Sequence, residues 1–339
     1  MATSGPLNLI TDVPGILVGQ AEDRVAITGT TAIIAEAPAV AAVDVRGGAP
    51  GSRETELLRS GTLVDRVDAI VLSGGSAFGL DAAAGVMDAL AAQGRGFAVG
   101  KARVPIVPAA ILFDLNFPGR QHWTGEPPHR RLGREAAARV GKHFALGNDG
   151  AGLGAKAGTL KGGLGSASLR LGNGVTVGAI VAVNACGSVV RPDCGRLWAT
   201  ELALADEIPA QPAIPHVPLD LDDFSTCGDG LVGANTTIAV VATDASLRKS
   251  ACQRFAMMAQ DGLARAIRPA HTPLDGDTVF ALATGSGPEI DTAMLTRLGS
   301  LAADCLSRAI MRAVIAAESL GGFPSWRERW GGENSEATR

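Results

Sequence analysis

The stretch Asn235-Thr236-Thr237-Ile238-Ala239-Val240-Val241-Ala242-Thr243 decides the fold, because a β-branched apolar run begins abruptly there after Gly233-Ala234. The run predicts a strand over 236–243. The apolar run 175–183, which ends at Asn184, predicts a strand buried on both faces. Similar runs occur at 30–34, 39–45, 69–72, 175–183 and 278–283. Helical, alanine-rich stretches at 79–93, 246–267 and 290–320 lie between or after them, and the alternation predicts an α/β fold.

The segment before this strand has a different composition. Residues 207–235 carry prolines at three-residue intervals from Pro209 to Pro218, then several aspartates and glycines, which predicts an extended linker. One interpretation of the junction is a linker that simply meets a strand. The other is a chain cut between Asn235 and Thr236, which would give Thr236 a free α-amine of pKa about 8 beside its hydroxyl. The charged, glycine-rich tail from Trp326 is predicted to be poorly ordered.

Composition excludes several functional classes. The 339 residues suffice for a full core, and the net charge of −4 gives no basic face for nucleic acid. Although 46% of residues are hydrophobic, no uninterrupted apolar run reaches the roughly 18 residues needed to span a bilayer. The amino-terminus lacks the pattern of a secretory signal, so we expect a soluble, cytoplasmic protein.

No cofactor or metal is indicated. The five cysteines lack any C-x-x-C pair, and no two histidines stand at metal-ligand spacing. The glycine-rich loop 150–163 lacks the strand, helix and acidic residue of a dinucleotide site and the Gly-Lys-Ser/Thr of a phosphate loop, so a structural loop is favoured.

Two further motifs remain open on the residues alone. Ser76 follows Gly74-Gly75 before a helix, but the spacing to Gly79 is one residue too long for a nucleophile elbow, so a helix-entry role is favoured. Asp275-Gly276-Asp277 follows His271 at the entry to a strand. Its two carboxylates either face one site, bind a cation or cap a turn, and the turn is favoured for the motif taken alone.

Taken together, these segments resemble the autoprocessed hydrolases that include the L-aminopeptidase/D-esterases, the β-peptidyl aminopeptidases and the nylon-oligomer (6-aminohexanoate-oligomer) hydrolases. The resemblance runs from about residue 7 to 322 through ordered motifs at 10–15, 44–51, 74–81, 150–163, 184, 233–237 and 271–280. It implies a layered α-β-β-α sandwich of the aminopeptidase and ornithine acetyltransferase type. It also implies self-cleavage at Asn235-Thr236 into fragments 1–235 and 236–339, which would remain one folded domain.

The resemblance also implies roles for individual residues. Thr236 would be the nucleophile, Asp275 and Asp277 would hold its amine and hydroxyl, and Asn184 would stabilise an oxyanion. A family lysine corresponds to Lys161, with Lys156 as the alternative. The nylon-oligomer hydrolases have a tyrosine where this chain has Phe78, and the chain has no tyrosine anywhere. We therefore expect Phe78, with Ser76, to line an apolar substrate pocket.

The expected function is hydrolysis of small peptides or linear amides through an acyl-enzyme at Thr236. Nylon oligomers are a possible side activity, and the expected assembly is a homo-oligomer of processed heterodimers. Two alternatives stay open. One is an acyltransferase that passes the same acyl group to an amine, and the other is an unprocessed protein that binds an anion in the loop 150–163.

Overall fold

Long buried strands form the centre of the structure, a computed structural model that describes residues 2–204, 206–227 and 235–331. The strands are β1 (Ile16–Asp23), β2 (Thr28–Val45), β3 (Ser52–Arg53), β4 (Arg66–Ser73), β5 (Phe97–Val99), β6 (Ala102–Val104), β7 (Ala109–Ile111), β8 (Lys156–Ala157), β9 (Leu160–Lys161), β10 (Gly163–Arg170), β11 (Thr176–Asn184), β12 (Thr236–Thr243) and β13 (Thr278–Ala283). The helices are α1 (Asp81–Ala92), α2 (His129–Ala138), α3 (Lys249–Ala259), α4 (Asp261–Ala266), α5 (Thr292–Ala316) and α6 (Trp326–Trp330).

Nine of the strands form one sheet in the order β10-β11-β12-β13-β2-β4-β7-β3, with β1 paired to β2. Strand β2 connects two halves of this sheet. Its residues 28–35 pair with β1, its residues 40–45 pair with β13, and its pairing to β4 changes register between Ile34 and Ala39. Most neighbours are antiparallel, whereas β12 runs parallel to β13 and β4 runs parallel to β7.

Alternate residues along the strands face different cores, which establishes four layers. On β11, Val181 faces a core shared with helices α3, α4 and α5, while its neighbour Ile180 faces an inner core. On β4, Val71 faces a core shared with α1 and α2, while Ile70 faces the same inner core. The two sheet halves therefore stack face to face between two helical layers, and the predicted α-β-β-α sandwich is confirmed.

Two predicted elements differ in their limits. The predicted strands 30–34 and 39–45 are one strand, β2, because Pro38 lies in the stretch that skips pairing with β4 and so needs no hydrogen-bond donor. The predicted helix 246–267 is two helices, α3 and α4. At the join, Gln260 is buried and its side-chain amide donates to the Asp44 carbonyl at 2.7 Å.

The prediction of a poorly ordered tail from Trp326 is wrong for its first turn. Trp326 is buried and its indole N–H donates to the Gly195 carbonyl at 2.9 Å, while Ser325 caps helix α6. Residues 332–339 lie outside the described part of the chain. In the predicted linker, residues 206–227 contain neither helix nor strand, and 228–234 again lie outside the described residues.

Candidate active site

Sheet topology brings the ends of three strands to one place. Thr236 is the first residue of β12, and its antiparallel partner is Asn184, the last residue of β11. Because β13 runs parallel to β12, the turn Asp275-Gly276-Asp277, just before β13, lies at the same end of the sheet. The residues that the sequence singled out at 184, 235–236 and 275–277 are therefore neighbours.

The peptide group between Asn235 and Thr236 is buried at this point, where the two residues are 1% and 3% exposed. The Thr236 hydroxyl donates a hydrogen bond to the Asn235 carbonyl oxygen. The same oxygen accepts the backbone N–H of Gly276 at 3.1 Å. One carbonyl thus has a hydroxyl beside it and an N–H donor directed at its oxygen.

Asp277 lies immediately beside this peptide group. Its Oδ1 accepts the backbone N–H of Thr237 at 2.8 Å. Its Oδ2 accepts both the backbone N–H and the Nδ1–H of His271, each at 2.9 Å. The carboxylate is 97% buried by its side-chain area and is fixed from both sides.

Asp275 is held in the same manner by other donors. Its Oδ2 accepts the backbone N–H of Thr272 at 3.1 Å and the Thr272 hydroxyl at 2.5 Å, and its Oδ1 accepts the backbone N–H of Cys186 at 3.1 Å. Burial raises the pKa of Asp275 above its usual value, and the neighbouring Asp277 charge raises it further. The ionised form of Asp275 is thus disfavoured by both its burial and the adjacent carboxylate.

The loop 46–51 packs against the Asp275-Gly276-Asp277 turn and donates backbone hydrogen bonds to it. Backbone N–H groups of Arg46 and Ala49 donate to the carbonyls of Asp277 and Asp275 at 3.0 and 2.8 Å. Gly47 allows this close approach, because a Cβ there would lie 2.4 Å from the Asp275 carbonyl oxygen. The motif at 44–51 therefore acts on the site through the turn.

Asn184 connects Thr236 to two other segments. Its side-chain oxygen accepts the backbone N–H of Lys156 at 3.0 Å, and its Nδ2 donates to the Phe113 carbonyl at 3.2 Å. The Lys156 ammonium lies 5.9 Å from the Phe323 ring centroid. Its positive charge opposes the burial that raises the pKa of Cys186.

Lys161 occupies a different environment from Lys156, although the two are paired across β8 and β9. Its ammonium is buried and donates to the Gly152 and Gly162 carbonyls, both at 2.9 Å. Burial lowers the pKa of Lys161 to about 7, against the opposing influence of Asp114. Lys156 contacts Asn184 through its backbone N–H and not through its ammonium. The assignment of Lys161, with Lys156 as the alternative, therefore stays a prediction.

Ser76 and Phe78 lie at the edge of this arrangement. Ser76 has a positive φ of 52°, and its N–H donates to the Leu112 carbonyl at 2.9 Å, one residue before the Phe113 carbonyl that Asn184 contacts. The Phe78 ring is 52% exposed and packs edge-on against Trp123 at 5.6 Å. The expected pocket contact between Phe78 and substrate stays a prediction.

Sequence reasoning missed three contributors. His271 was considered only as a metal ligand, Thr272 was not considered, and Cys186 was considered only as a buried thiol. The Thr-x-x-Asp spacing of Thr272 and Asp275 was the available signal, because an acidic side chain at that spacing typically accepts the backbone N–H of the threonine. Nothing in the sequence indicated that the Cys186 N–H meets Asp275.

In 2–204, 206–227 and 235–331, no group of three or more His, Cys, Asp or Glu side chains is arranged to hold a metal ion. No helix in that part of the chain has the length and apolar character to cross a bilayer. The five cysteines are free thiols.

Comparison with solved structures defines the class of the fold. The L-aminopeptidase/D-Ala-esterase/amidase of Ochrobactrum anthropi, a variant of the Ntn-hydrolase fold, superimposes with a TM-score of 0.68, covering 96% of this chain and 90% of that one at 22% identity. The chain therefore has the Ntn-hydrolase fold.

The sequence assigns the family within that class. The profile of Peptidase family S58 matches residues 8–326, and the chain belongs to this family. It is 46% identical to an uncharacterized aminopeptidase of Mycobacterium leprae, covering 95% of this chain and 94% of that protein. It is 31% identical to a 6-aminohexanoate-oligomer endohydrolase of Kocuria, covering 92% and 87%. The predicted family is confirmed, and the protein is a peptide or amide hydrolase.

Proposed function

We propose that this hydrolase matures by cleaving its own Asn235-Thr236 bond and then uses Thr236 as an N-terminal nucleophile on small peptides or linear amides. The observation that carries the proposal is the convergence on the Asn235 carbonyl. The Thr236 hydroxyl lies against it, and the Gly276 N–H donates to its oxygen. A nucleophile and an oxyanion donor are the two elements that acyl transfer requires.

The proposed self-cleavage has two steps, acyl transfer to the Thr236 oxygen and hydrolysis of the resulting ester. The Thr236 oxygen attacks the Asn235 carbonyl carbon, the Gly276 N–H stabilises the developing oxyanion, and the C–N bond breaks as the Thr236 nitrogen takes the hydroxyl proton. The product is an ester between Asn235 and the Thr236 side chain. Water then hydrolyses the ester, which leaves a carboxylate on Asn235 and a free α-amine on Thr236.

The mature reaction repeats this chemistry on a substrate. The Thr236 amine accepts the hydroxyl proton during attack and returns a proton to the leaving amine of the substrate. Asp277 fixes the start of β12 through Thr237, and Asp275 fixes the neighbouring turn. We assign Asn184 to the oxyanion and Lys161 to the site as its lysine, with Lys156, whose backbone N–H donates to the Asn184 side chain, as the alternative.

Two relatives support the choice of substrate class. One is named as an aminopeptidase and another as an endohydrolase of 6-aminohexanoate oligomers. A small linear amide or peptide is common to both, and nylon oligomers are a side activity under this proposal. We propose further that the two fragments remain together, in a homo-oligomer of processed heterodimers.

The test compares the wild type with Thr236→Ala and Thr236→Ser. We expect wild type to separate into two fragments and to hydrolyse aminoacyl amides, Thr236→Ser to retain both reactions at reduced rate, and Thr236→Ala to stay intact and inactive. A processed Thr236→Ala protein contradicts the proposal. Formation of acylated amines when amine acceptors are added, at the expense of hydrolysis, would instead identify an acyltransferase.

A further inference from the structure

His271 contacts Asp277 directly, and the proposed mechanism gives this histidine no role. Its backbone N–H and its ring Nδ1 both lie 2.9 Å from the same oxygen, Oδ2 of Asp277. We assign the proton of this pair to Nδ1, because a carboxylate oxygen accepts hydrogen bonds. The other ring nitrogen, Nε2, is buried and has no partner among the described residues.

The backbone at His271 is held in an unfavourable conformation to make this contact. Its φ is +56°, in the left-handed region that non-glycine residues rarely adopt. In this conformation its N–H and ring point at one oxygen. Thr272 contacts Asp275 in the same manner, so the His271-Thr272 dipeptide directs four donors at the two carboxylates.

Asp277 accepts hydrogen bonds from both His271 and Thr237, the residue that follows the proposed nucleophile Thr236. With Oδ2 occupied by His271, Oδ1 is turned toward the backbone N–H of Thr237 at 2.8 Å. Thr237 is bonded directly to Thr236, so the orientation of this carboxylate fixes where the Thr236 amine and hydroxyl lie. A free Asp277 side chain would have other rotamers available and would release that constraint.

We propose that His271 is a positioning residue for the Thr236 nucleophile, acting through Asp277, an inference that rests on the proposed function. The imidazole holds Asp277 through its Nδ1–H and itself touches neither the Asn235 carbonyl nor the Thr236 hydroxyl. Its contribution is geometric preorganisation, which acts on the rate of acyl transfer and not on substrate affinity.

The test uses two substitutions of His271 that both remove the imidazole ring. One keeps a side-chain N–H donor and the other does not. His271→Asn keeps an N–H donor close to the position of Nδ1, and asparagine tolerates a positive φ. His271→Ala removes the donor. His143→Asn is the matched control, because His143 is an exposed histidine. Self-cleavage is followed by intact mass, and kcat and KM are then measured on fully processed protein.

We expect His271→Ala to slow self-cleavage and to lower kcat by about 10- to 100-fold with KM nearly unchanged, since a displacement of roughly 1 Å can cost about 100-fold. His271→Asn should recover both rates to within about threefold, although both variants lose the same ring packing. Equal impairment of the two variants, or a His271→Ala protein with wild-type kcat, would overturn the inference. Failure of the wild type itself to cleave would overturn the proposed function instead.

Discussion

A methyl group added at Gly276 would test the position of the Thr236 hydroxyl directly. A Cβ built on Gly276 lies 2.8 Å from Thr236 Oγ1, 2.8 Å from the Ala49 carbonyl oxygen and 3.2 Å from Pro50 Cα. Ordinary contacts begin at 3.4 Å, so each oxygen is overlapped by about 0.6 Å. The loop cannot easily retreat, because the Ala49 N–H is bonded to the Asp275 carbonyl at 2.8 Å.

The magnitude follows from that overlap. Since alanine brings no positive-φ strain at this position, its effect is steric, and the Thr236 hydroxyl must move by about half an ångström or more. Misplacement of about 1 Å costs roughly 100-fold in rate, so we expect self-cleavage and kcat to fall by about 10- to 100-fold. Overpacking of this kind costs about 1–3 kcal/mol of stability.

The assay is a time course of intact mass after rapid purification, followed by amide hydrolysis by whatever protein has been processed. Gly172→Ala is the control, because a Cβ there meets nothing within 4 Å and the residue has no positive φ. A Gly276→Ala protein that cleaves itself at the wild-type rate would refute the reasoning. The hydroxyl would then lie elsewhere than against this turn.

Three other predictions concern stability and specificity. Burial lowers the folded-state pKa of Lys161 from 10.5 to about 7, so the unfolded chain binds the extra proton between those values and wild-type stability should rise with pH there. Relative to Lys161→Met, we expect a gain on the order of 2–3 kcal/mol from pH 7.5 to 9.5 in denaturant titrations, and a pH-independent difference would contradict the lowered pKa of Lys161. Glu207→Ala should cost about 3–5 kcal/mol, because it leaves the 1%-exposed Arg308 charge without its partner at 2.6 Å, whereas Glu201→Ala, at an exposed pair, should cost under about 1 kcal/mol by the same titration. Phe78→Tyr should change the preferred acyl group in a panel of amide substrates while hydrolysis persists, and complete loss of activity would refute that expectation.

The layered fold was predictable because its strands are strongly patterned. Residues 236–243 and 278–283 were predicted with the limits that β12 and β13 have in the structure. Short, continuous runs of β-branched apolar residues in an α/β protein are typical of buried strands. The errors arose where tertiary contacts override local signals. The strands predicted at 30–34 and 39–45 are one strand whose pairing to β4 changes register between them. Trp326 lies in a charged tail yet packs into the core.

The candidate site was predictable only in part. Thr236, Asn184 and the two aspartates were identified by the family resemblance, and the strand order brings them together. The choice of Lys161 over Lys156 stays a prediction, because both belong to one glycine-rich loop, where they are paired across β8 and β9. His271 was overlooked because its contact with Asp277 depends on a left-handed backbone conformation, which the sequence pattern does not predict.

The central claim is that Thr236 becomes a new amino-terminus, and intact-mass spectrometry of purified wild-type protein tests it most directly. Cleavage at Asn235-Thr236 divides the 34.4 kDa chain into fragments of about 24 and about 10.6 kDa, in proportion to their lengths. The account predicts these two masses, with Thr236 as the first residue of the smaller fragment. A single species near 34.4 kDa that persists on long incubation and still hydrolyses amides would contradict it.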